Sequence, residues 1–206
     1  MSLGPTCSAV ILTGGLNKRM HGRNKAFIHL GGRCFLERIT DTVSASLDEC
    51  LIVTRETALY REWPVKIVAD KFDIRSPLTG IHAGLASMRS EFAFITSCDT
   101  PFLKKRVVKL LIDELDPEAD VIVPASGTFF QPLCAIYSRR CAKVIEELLC
   151  HGEMKVDRLY ERVRLKRIDY RNFEAVDPEL HSFFNVNTPA DLEAAQKLLA
   201  RIAGYP

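Results

Sequence analysis

The chain has 206 residues, of which 47% are hydrophobic and 26% are charged. This composition is typical of a globular protein and excludes a disordered, collagen-like or coiled-coil chain. The formal net charge of +2 disfavours a general nucleic-acid-binding protein, because such proteins usually carry a larger basic excess.

The sequence shows no signal for a membrane span or for secretion. Its apolar runs are shorter than the roughly 20 residues that a transmembrane helix needs, and no basic segment followed by an apolar core stands at the N-terminus. The seven cysteines form no C-x-x-C pair, and most of them lie in apolar runs. We therefore expect buried, reduced thiols and a cytoplasmic protein.

Short apolar runs alternate with amphipathic segments along the chain. The apolar runs predict strands at residues 8–13, 50–54, 65–69, 92–97, 120–124, 133–137 and 164–168. Periodic apolar positions predict helices at residues 35–46, 79–89, 104–115, 139–149 and 190–202. Because the first strand is apolar throughout, we expect helices on both sides of the sheet. The predicted fold is α/β, a three-layer, mostly parallel, doubly wound sheet in a single domain of residues 1–206.

Local turn and capping signals add three further features. Residues 26–30 predict a short strand that ends in a glycine turn. Thr188 is the predicted N-cap of the last helix, with Asp191 three residues further on. Thr100 predicts a similar start for the helix at residues 104–115.

Residues suited to ligand binding follow three of the predicted strands. Gly14 and Gly15 follow the first strand, Asp70 follows the third, and Asp99 follows the fourth. In open parallel sheets, ligands bind beyond the carboxyl ends of the strands. We therefore expect a binding site at this edge of the sheet.

The first of these segments has the composition of an anion-binding loop. Gly14 and Gly15 let backbone N–H groups approach an anion without an intervening Cβ. Arg19, Arg23 and Lys25 then add positive charge that suits a triphosphate. The segment contains neither the G-x-x-x-x-G-K-[ST] nor the G-x-G-x-x-G pattern. The alternative is a glycine turn with solvated basic residues.

The two carboxylates each have a functional and a structural interpretation. Asp99 at a strand end suits Mg²⁺ on a nucleotide phosphate, because this ion combines few carboxylates with phosphate oxygens and waters. The alternative is a turn aspartate that assists the following helix. Asp70 is suited to a base or a ribose, or it caps a turn.

Two asparagines near the C-terminus form a further candidate site. Asn185 and Asn187 lie two positions apart, so in an extended segment their side chains point the same way. Two amides on one face can bind a phosphate or a pterin edge, or they brace the start of the last helix. The five histidines share no metal-ligand spacing.

Five segments, in this order, resemble the molybdenum cofactor guanylyltransferases, nucleotidyltransferases that join a nucleotide to molybdopterin. The family pattern L-A-G-G-x-x-x-R-M-G-x-x-K is matched by residues 12–25, P-L-A-G-I by 77–81, C-D-x-P-F by 98–102, G-E-x-x-V by 152–156 and N-V-N-T-P-x-D-L by 185–192. Each motif alone is weak, whereas five in register are specific.

The resemblance implies a Rossmann-like nucleotidyltransferase fold of the glycosyltransferase-A-like type. It implies that the N-terminal half binds GTP, that the C-terminal half binds molybdopterin, and that GMP is transferred with release of pyrophosphate. Asp99 would hold Mg²⁺, while Lys25 and Arg19 offset phosphate charge. The implied nucleotide-binding residues are Leu12, Thr13, Gly14, Gly15, Lys25, Thr54, Asp70, Pro77, Leu78, Gly80 and Asp99, and the implied acceptor-binding residues are Asn185, Asn187, Gln131 and Lys155.

Two segments favour guanine over cytosine. Cytidylyl relatives resemble L-A-A-G in the first loop and lack P-L-A-G, whereas this chain has Gly14 and the sequence P-L-T-G at 77–80. The chain departs from the family pattern at Thr13, His21, Asn24, Thr54 and Ser76.

Two alternatives to guanylyl transfer stay open. One is a cytidylyl- or other nucleotidyltransferase of the same fold, and the other is a non-catalytic GTP-binding module. The resemblance gives molybdenum-insertion and molybdoenzyme maturation proteins as candidate partners, with neither nucleic acid nor membrane among them.

Overall fold

An eight-stranded mixed sheet forms the centre of the protein. The computed structural model describes residues 6–15, 24–47, 49–70 and 72–204. The strands of the sheet are β1 (Cys7–Leu12), β4 (Cys50–Thr54), β5 (Lys66–Ala69), β6 (Phe92–Ser97), β7 (Val121–Ser126), β8 (Phe129–Phe130), β9 (Cys134–Ser138) and β10 (Leu165–Asp169), while β2 (His29–Leu30) and β3 (Arg33–Cys34) form a separate antiparallel hairpin.

The strand order is β10-β7-β9-β6-β1-β4-β5, with β8 paired to β7. Strand β1 pairs in parallel with both β4 and β6. Strand β9 is antiparallel to both of its neighbours, β6 and β7. The carboxyl ends of β5, β4, β1 and β6 therefore lie at one edge of the sheet, and the amino end of β9 lies beside them.

Helices cover both faces of the sheet, which completes three layers. The helices are α1 (Phe35–Ser44), α2 (Pro77–Ser87), α3 (Lys105–Asp113), α4 (Cys141–Cys150), α5 (Val156–Tyr160), α6 (Arg171–Glu174) and α7 (Pro189–Ile202). Ala9 and Ile11 of β1 share a buried cluster with α1 and α3, whereas Val10 shares one with α2 and α4. Because successive strand residues face opposite sides, an entirely apolar strand requires this double cover.

Helix α2 lies close against the sheet. Ser76 caps its first turn by accepting a hydrogen bond from the backbone N–H of Leu78 (3.1 Å), and Pro77 is the first helical residue. A Cβ placed on Gly84 would lie 2.5 Å from Cγ1 of Val10 on β1. The glycine therefore permits the short distance between the helix and the strand.

The predicted α/β fold with a mostly parallel, doubly wound sheet is confirmed, and the longer predicted elements are present with small shifts of their ends. The start predicted at Thr100 is wrong, because α3 begins at Lys105 and the Thr100 hydroxyl donates to the carbonyl of Ser97 (3.1 Å). The strand predicted at 26–30 is half correct. Its first part is a 3-10 helix (Lys25–Phe27), because the Asn24 side chain accepts from Ala26 N–H and caps that turn.

The seven cysteines are free thiols. Four are buried, Cys7 and Cys50 are half-buried, and Cys150 is exposed, so the expectation of burial is wrong for Cys150. Within the ranges that the structure describes, none of the helices has the length and apolar character needed to cross a bilayer.

Candidate active site

A cavity of about 530 Å³ lies at the edge where the carboxyl ends of β5, β4, β1 and β6 meet. Parallel strand ends and the amino end of α2 supply most of its wall, as expected for ligand sites of open α/β sheets. Its lining residues are Leu12, Thr13, Gly14, Gly15, Lys25, Val53, Thr54, Asp70, Arg75, Ser76, Pro77, Gly80, Ser97, Cys98, Asp99, Leu133 and Asn187.

The turn after β1 forms one wall of the cavity. Thr13 extends the strand, because its N–H and its hydroxyl both donate to the carbonyl of Val53, at 3.0 and 3.1 Å. Gly14 and Gly15 then reach the surface. A Cβ placed on Gly14 would meet no atom of the described residues within 4 Å. These residues therefore leave the space above Gly14 open to a ligand.

Lys25 is brought to the cavity by the short helix that it begins. The Oδ1 atom of Asn24 accepts from Ala26 N–H (3.1 Å), and its Nδ2 atom donates to the hydroxyl of Tyr60 (3.0 Å). Burial raises the pKa of Tyr60, so this phenol stays protonated at neutral pH. Asn24, the residue before Lys25, is thus fixed to a buried side chain of another part of the chain.

The Lys25 ammonium group contacts two residues from distant parts of the chain, Asn187 and Asp99. Its Nζ atom donates to Oδ1 of Asn187 at 2.7 Å and lies 3.4 Å from Oδ2 of Asp99. The side chains of Lys25 and Asp99 are 14% and 19% exposed, so a ligand in the cavity can reach both. Oδ1 of Asp99 accepts a hydrogen bond from the hydroxyl of Ser97. The site thus combines one cation with one oriented carboxylate.

Cys98 lies between Ser97 and Asp99 in the chain, and it lines the cavity. Its thiol is buried, and burial raises its pKa above the ordinary value. The thiol therefore remains neutral, and the charge at this point of the cavity belongs to Asp99 and Lys25.

Asp70 forms a second polar centre on the opposite side of the cavity. Its Oδ2 atom lies 2.6 Å from the hydroxyl of Thr79 and 3.5 Å from Nε of Arg55. Its Oδ1 atom accepts from the N–H of Phe72 (3.2 Å). The carboxylate is therefore held in one orientation by groups from three segments, and it faces the cavity as an acceptor.

The remaining residues expected to bind the nucleotide occupy two kinds of position. Thr54, Pro77 and Gly80 line the cavity together with Leu12. Leu78 does not, because it is fully buried in the core between α2 and the sheet. Arg19 lies outside the described residues.

The structure separates the four residues expected to bind the acceptor. Asn187 lines the cavity and contacts Lys25, whereas Asn185 is exposed and is not among the lining residues. Gln131 and Lys155 also lie outside the lining. The structure thus places one asparagine of the pair at the cavity and the other at the surface.

The loop before Lys155 is nevertheless joined to the cavity rim. The hydroxyl of Ser76, a lining residue, donates to the carbonyl oxygen of Met154 at 2.6 Å. This bond connects the start of α2 with the segment that precedes α5, and so it links the two halves of the chain.

Six lining residues were not among the predicted site residues: Val53, Arg75, Ser76, Ser97, Cys98 and Leu133. Arg75 and Ser97 directly adjoin segments that were singled out, so a search of the neighbours of each motif would have included them. Leu133 precedes β9 and reaches the cavity only because that strand runs antiparallel to β6. Strand direction has no local sequence signal in a short apolar run.

The side chains at the cavity fit a magnesium ion that is held mainly by a bound phosphate compound rather than by the protein. Among the described residues, no group of three His, Cys, Asp or Glu side chains could hold a metal by itself. Asp99 offers one accessible carboxylate beside an open backbone turn. Mg²⁺ is commonly held by one or two carboxylates together with phosphate oxygens and water.

A solved structure with the same architecture defines the class of the protein. Molybdopterin-guanine dinucleotide biosynthesis protein A from Archaeoglobus fulgidus superposes with a TM-score of 0.84 at 25% identity, covering 94% of this chain and 99% of that one. The fold is thus that of the Rossmann-like nucleotidyltransferases, with the cavity at the strand ends.

Sequence comparison then identifies the family. The profile described as "MobA-like NTP transferase domain" matches residues 9–168, and the chain belongs to this family. The molybdenum cofactor guanylyltransferase of Desulfosudis oleivorans is 44% identical over 189 residues, which cover 92% of this chain and 94% of that protein. The probable molybdenum cofactor guanylyltransferase of Natranaerobius thermophilus is 34% identical over 199 residues, covering 94% and 97%.

Proposed function

We propose that the protein is a guanylyltransferase that moves GMP from GTP to molybdopterin, with release of pyrophosphate. The observation that carries this proposal is the meeting of Lys25, Asp99 and Asn187 beside an open glycine turn. The similarity to proteins named molybdenum cofactor guanylyltransferase over more than nine-tenths of the chain supports the choice of substrates.

The nucleotide lies across the turn at Gly14 and Gly15 in this proposal. Backbone N–H groups of the turn and the Lys25 ammonium group bind its phosphates. The base lies toward Asp70, because guanine presents N1–H and an amino group as donors and a carboxylate accepts both. Cytosine has no N1–H donor of this kind, so the fixed carboxylate favours guanine.

Asp99 would hold Mg²⁺ through its accessible carboxylate. The ion, when bound, offsets the negative charge of the phosphates. Lys25 contributes a second positive charge on the same side, and Arg19 is proposed to add a third. Ser97 donates to the far oxygen of Asp99 and so leaves Oδ2 directed at the cavity.

The reaction is a displacement at the α-phosphorus of GTP. An oxygen of the molybdopterin phosphate forms a bond to this phosphorus, and the bond to the β-phosphate oxygen breaks, so that pyrophosphate leaves. The protein positions two anions and offsets their charge, and no covalent bond to a side chain is needed. Preorganised positive charge of this kind is commonly the largest contribution to catalysis.

The acceptor side is formed by the C-terminal half in this proposal. Asn187 contacts the acceptor phosphate at the boundary, and Asn185, Gln131 and Lys155 lie further out, where a pterin would extend from the cavity. The bond from Ser76 to Met154 supports this placement, because it holds the loop before Lys155 at the cavity rim. We propose that residues 1–206 act as one domain and that the reaction takes place in the cytoplasm.

A nucleotide panel followed by a turnover assay tests the proposal. We expect GTP with Mg²⁺ to raise the melting temperature more than ATP, CTP or UTP does, since a ligand that binds only the folded state stabilises it. Pyrophosphate should then appear only when molybdopterin is added. A larger shift with CTP would contradict the choice of guanine, and tight GTP binding without turnover would contradict catalysis.

A further inference from the structure

Two hydrogen bonds hold the backbone directly before the Cα of Asn187. The N–H of the preceding residue, Val186, donates to the carbonyl oxygen of Asp99 at 2.8 Å. The N–H of Asn187 itself donates to Oδ2 of Asp191 at 2.9 Å. The backbone that carries the Asn187 amide is thus tied to the metal-binding segment on one side and to α7 on the other.

Asp191 makes more contacts than a helix cap requires. In a capping box the third helical residue accepts from the N–H of the N-cap, and Asp191 does so with Thr188 at 2.8 Å. The same oxygen also accepts from Asn187 N–H, which lies outside the helix. The hydrogen bond from the backbone N–H of Asn187 is the main cause of the lowered pKa of Asp191, and it keeps this carboxylate charged.

Among the described residues, the side-chain amide of Asn187 is the nearest acceptor of the Lys25 ammonium group. Its Oδ1 atom lies 2.7 Å from Nζ, whereas Oδ2 of Asp99 lies at 3.4 Å. Val186, whose side chain is fully buried, prevents the segment from moving toward solvent. The position of Nζ therefore depends on where α7 holds residue 187.

We propose that Asp191 is a positioning residue that fixes Lys25 in the cavity through the backbone and side chain of Asn187. This inference rests on the proposed function, because Lys25 is assigned there to the phosphates. Displacement of a charge by about 1 Å in such a site can lower the rate by up to roughly 100-fold. Asp191 thus connects the last helix to the phosphate site without touching a substrate.

Variants of the two capping-box residues, Thr188 and Asp191, distinguish this positioning role from simple helix capping. Thr188→Ala removes the bond from Asp191 N–H to the Thr188 hydroxyl (3.2 Å) but leaves Asp191 bonded to Asn187. Asp191→Ala removes the capping bond and the bond to Asn187 together. We expect similar losses of melting temperature from both variants, since each lacks one part of the cap.

Turnover should distinguish the two variants. We expect Asp191→Ala to lower kcat about tenfold with little change in the KM of GTP, and Thr188→Ala to leave kcat unchanged. Asp191→Asn should restore most of kcat, because an amide oxygen still accepts from Asn187 N–H. Equal kcat losses in Asp191→Ala and Thr188→Ala would overturn the inference.

A double-mutant cycle shows whether Asp191 acts through the Asn187 side chain. In an Asn187→Ala background the amide no longer reaches Lys25, so adding Asp191→Ala should not reduce kcat further. Independent, additive losses would contradict the proposed connection.

Chemical modification of Lys25 gives a readout that needs no substrate. The rate of reductive methylation at Lys25, measured by mass spectrometry relative to the exposed Lys109, should rise in Asp191→Ala and stay unchanged in Thr188→Ala. If the wild-type protein fails to transfer GMP, the proposed function fails while this measurement still decides the role of Asp191. An unchanged Lys25 rate in Asp191→Ala would refute that role.

Discussion

The Nζ atom of Lys25 and the Oδ2 atom of Asp99 lie 3.4 Å apart, although 74 positions separate the two residues in the chain. The first residue follows the turn after β1, and the second follows β6. Because β1 and β6 are parallel neighbours, their carboxyl ends adjoin and the two side chains meet at one edge. The strand order brings the two segments to one edge, and the 3-10 helix at Lys25–Phe27 then places the ammonium group beside the carboxylate.

Replacement of the Asp99 carboxylate should abolish most of the turnover. Asp99→Asn keeps the shape of the side chain and removes its charge, so we expect pyrophosphate release to fall by roughly 100-fold or more, a magnitude typical for loss of a preorganised charge contact. Asp169→Asn is the matched control, because this exposed carboxylate is paired with Arg171 at the end of β10. Normal turnover in Asp99→Asn would remove this residue from the catalytic site.

A methyl group at Gly14 should weaken nucleotide binding without affecting stability. Within the described part of the chain the new Cβ meets no atom within 4 Å, so we expect Gly14→Ala to melt at nearly the wild-type temperature. The same methyl group occupies space beside the phosphates, and we expect the Kd of GTP, measured by calorimetry, to rise at least tenfold.

Gly84→Ala is the control for Gly14→Ala, because a loss of stability is expected from Gly84→Ala. Its Cβ would lie 2.5 Å from Cγ1 of Val10, which forces α2 and β1 apart. We expect this variant to lose about 1–3 kcal/mol of unfolding free energy through overpacking. If Gly14→Ala bound GTP normally, the nucleotide would not lie across this turn.

The hydroxyl of Thr79 should contribute to base selectivity. It lies 2.6 Å from Oδ2 of Asp70, so Thr79→Val removes a donor that orients the carboxylate. We expect the preference for GTP over ATP, measured as a ratio of kcat/KM values, to fall about tenfold, the equivalent of one hydrogen bond to a charged group. Thr79→Ser keeps the donor and should retain the preference. A ratio that is the same in all three proteins would show that Asp70 does not contact the base.

Asp177 should make stability depend on pH in the acid range. Burial opposes its charged form, but Lys104 at 2.6 Å and the N–H of Ser182 at 2.7 Å outweigh burial, and the pKa lies below the ordinary 3.8. A lowered pKa in the folded protein stabilises the fold above pH 3.8, and this contribution disappears as the pH falls through the folded-state pKa.

Acid unfolding of Asp177→Asn measures this contribution. At pH 7 we expect the variant to be about 2 kcal/mol less stable than the wild type, because a buried charged hydrogen bond is lost. The difference should shrink as the pH falls below 3.8, where residue 177 of the unfolded chain takes up its proton, and should disappear below the folded-state pKa. Asp113→Asn, in an exposed pair with Lys109, should change the unfolding free energy little at either pH. A difference that is constant with pH would contradict the role of the Asp177 charge.

The elements that sequence patterns predicted well are those with a strong period or an uninterrupted apolar run. Strand β6 has the predicted bounds because all of its residues are buried, and α1 begins at the predicted Phe35 because its apolar positions repeat at helical spacing. Helices α5 and α6, with 5 and 4 residues, are too short to show a period. The 3-10 turn at Lys25 depends on a single capping contact of Asn24.

The site was predictable where it follows strand ends and less so where it depends on tertiary contacts. Gly14, Asp70 and Asp99 were singled out because each follows an apolar run, and each lines the cavity. Arg75 was missed because it stands in a polar segment with no strand before it. The role of Asn187 beside Lys25 needs the position of α7, which no local pattern contains.

The reversed direction of β9 has a consequence for how the protein can change over evolution. The first residues of β9 lie beside the end of β6, with Cys134 opposite Thr96. The last residues of β9 lie at the opposite edge of the sheet. Lengthening or exchanging the connection from β8 to β9 therefore remodels the cavity wall at Leu133 and spares the glycine turn. Descendants of such a chain can acquire new acceptors while keeping their nucleotide.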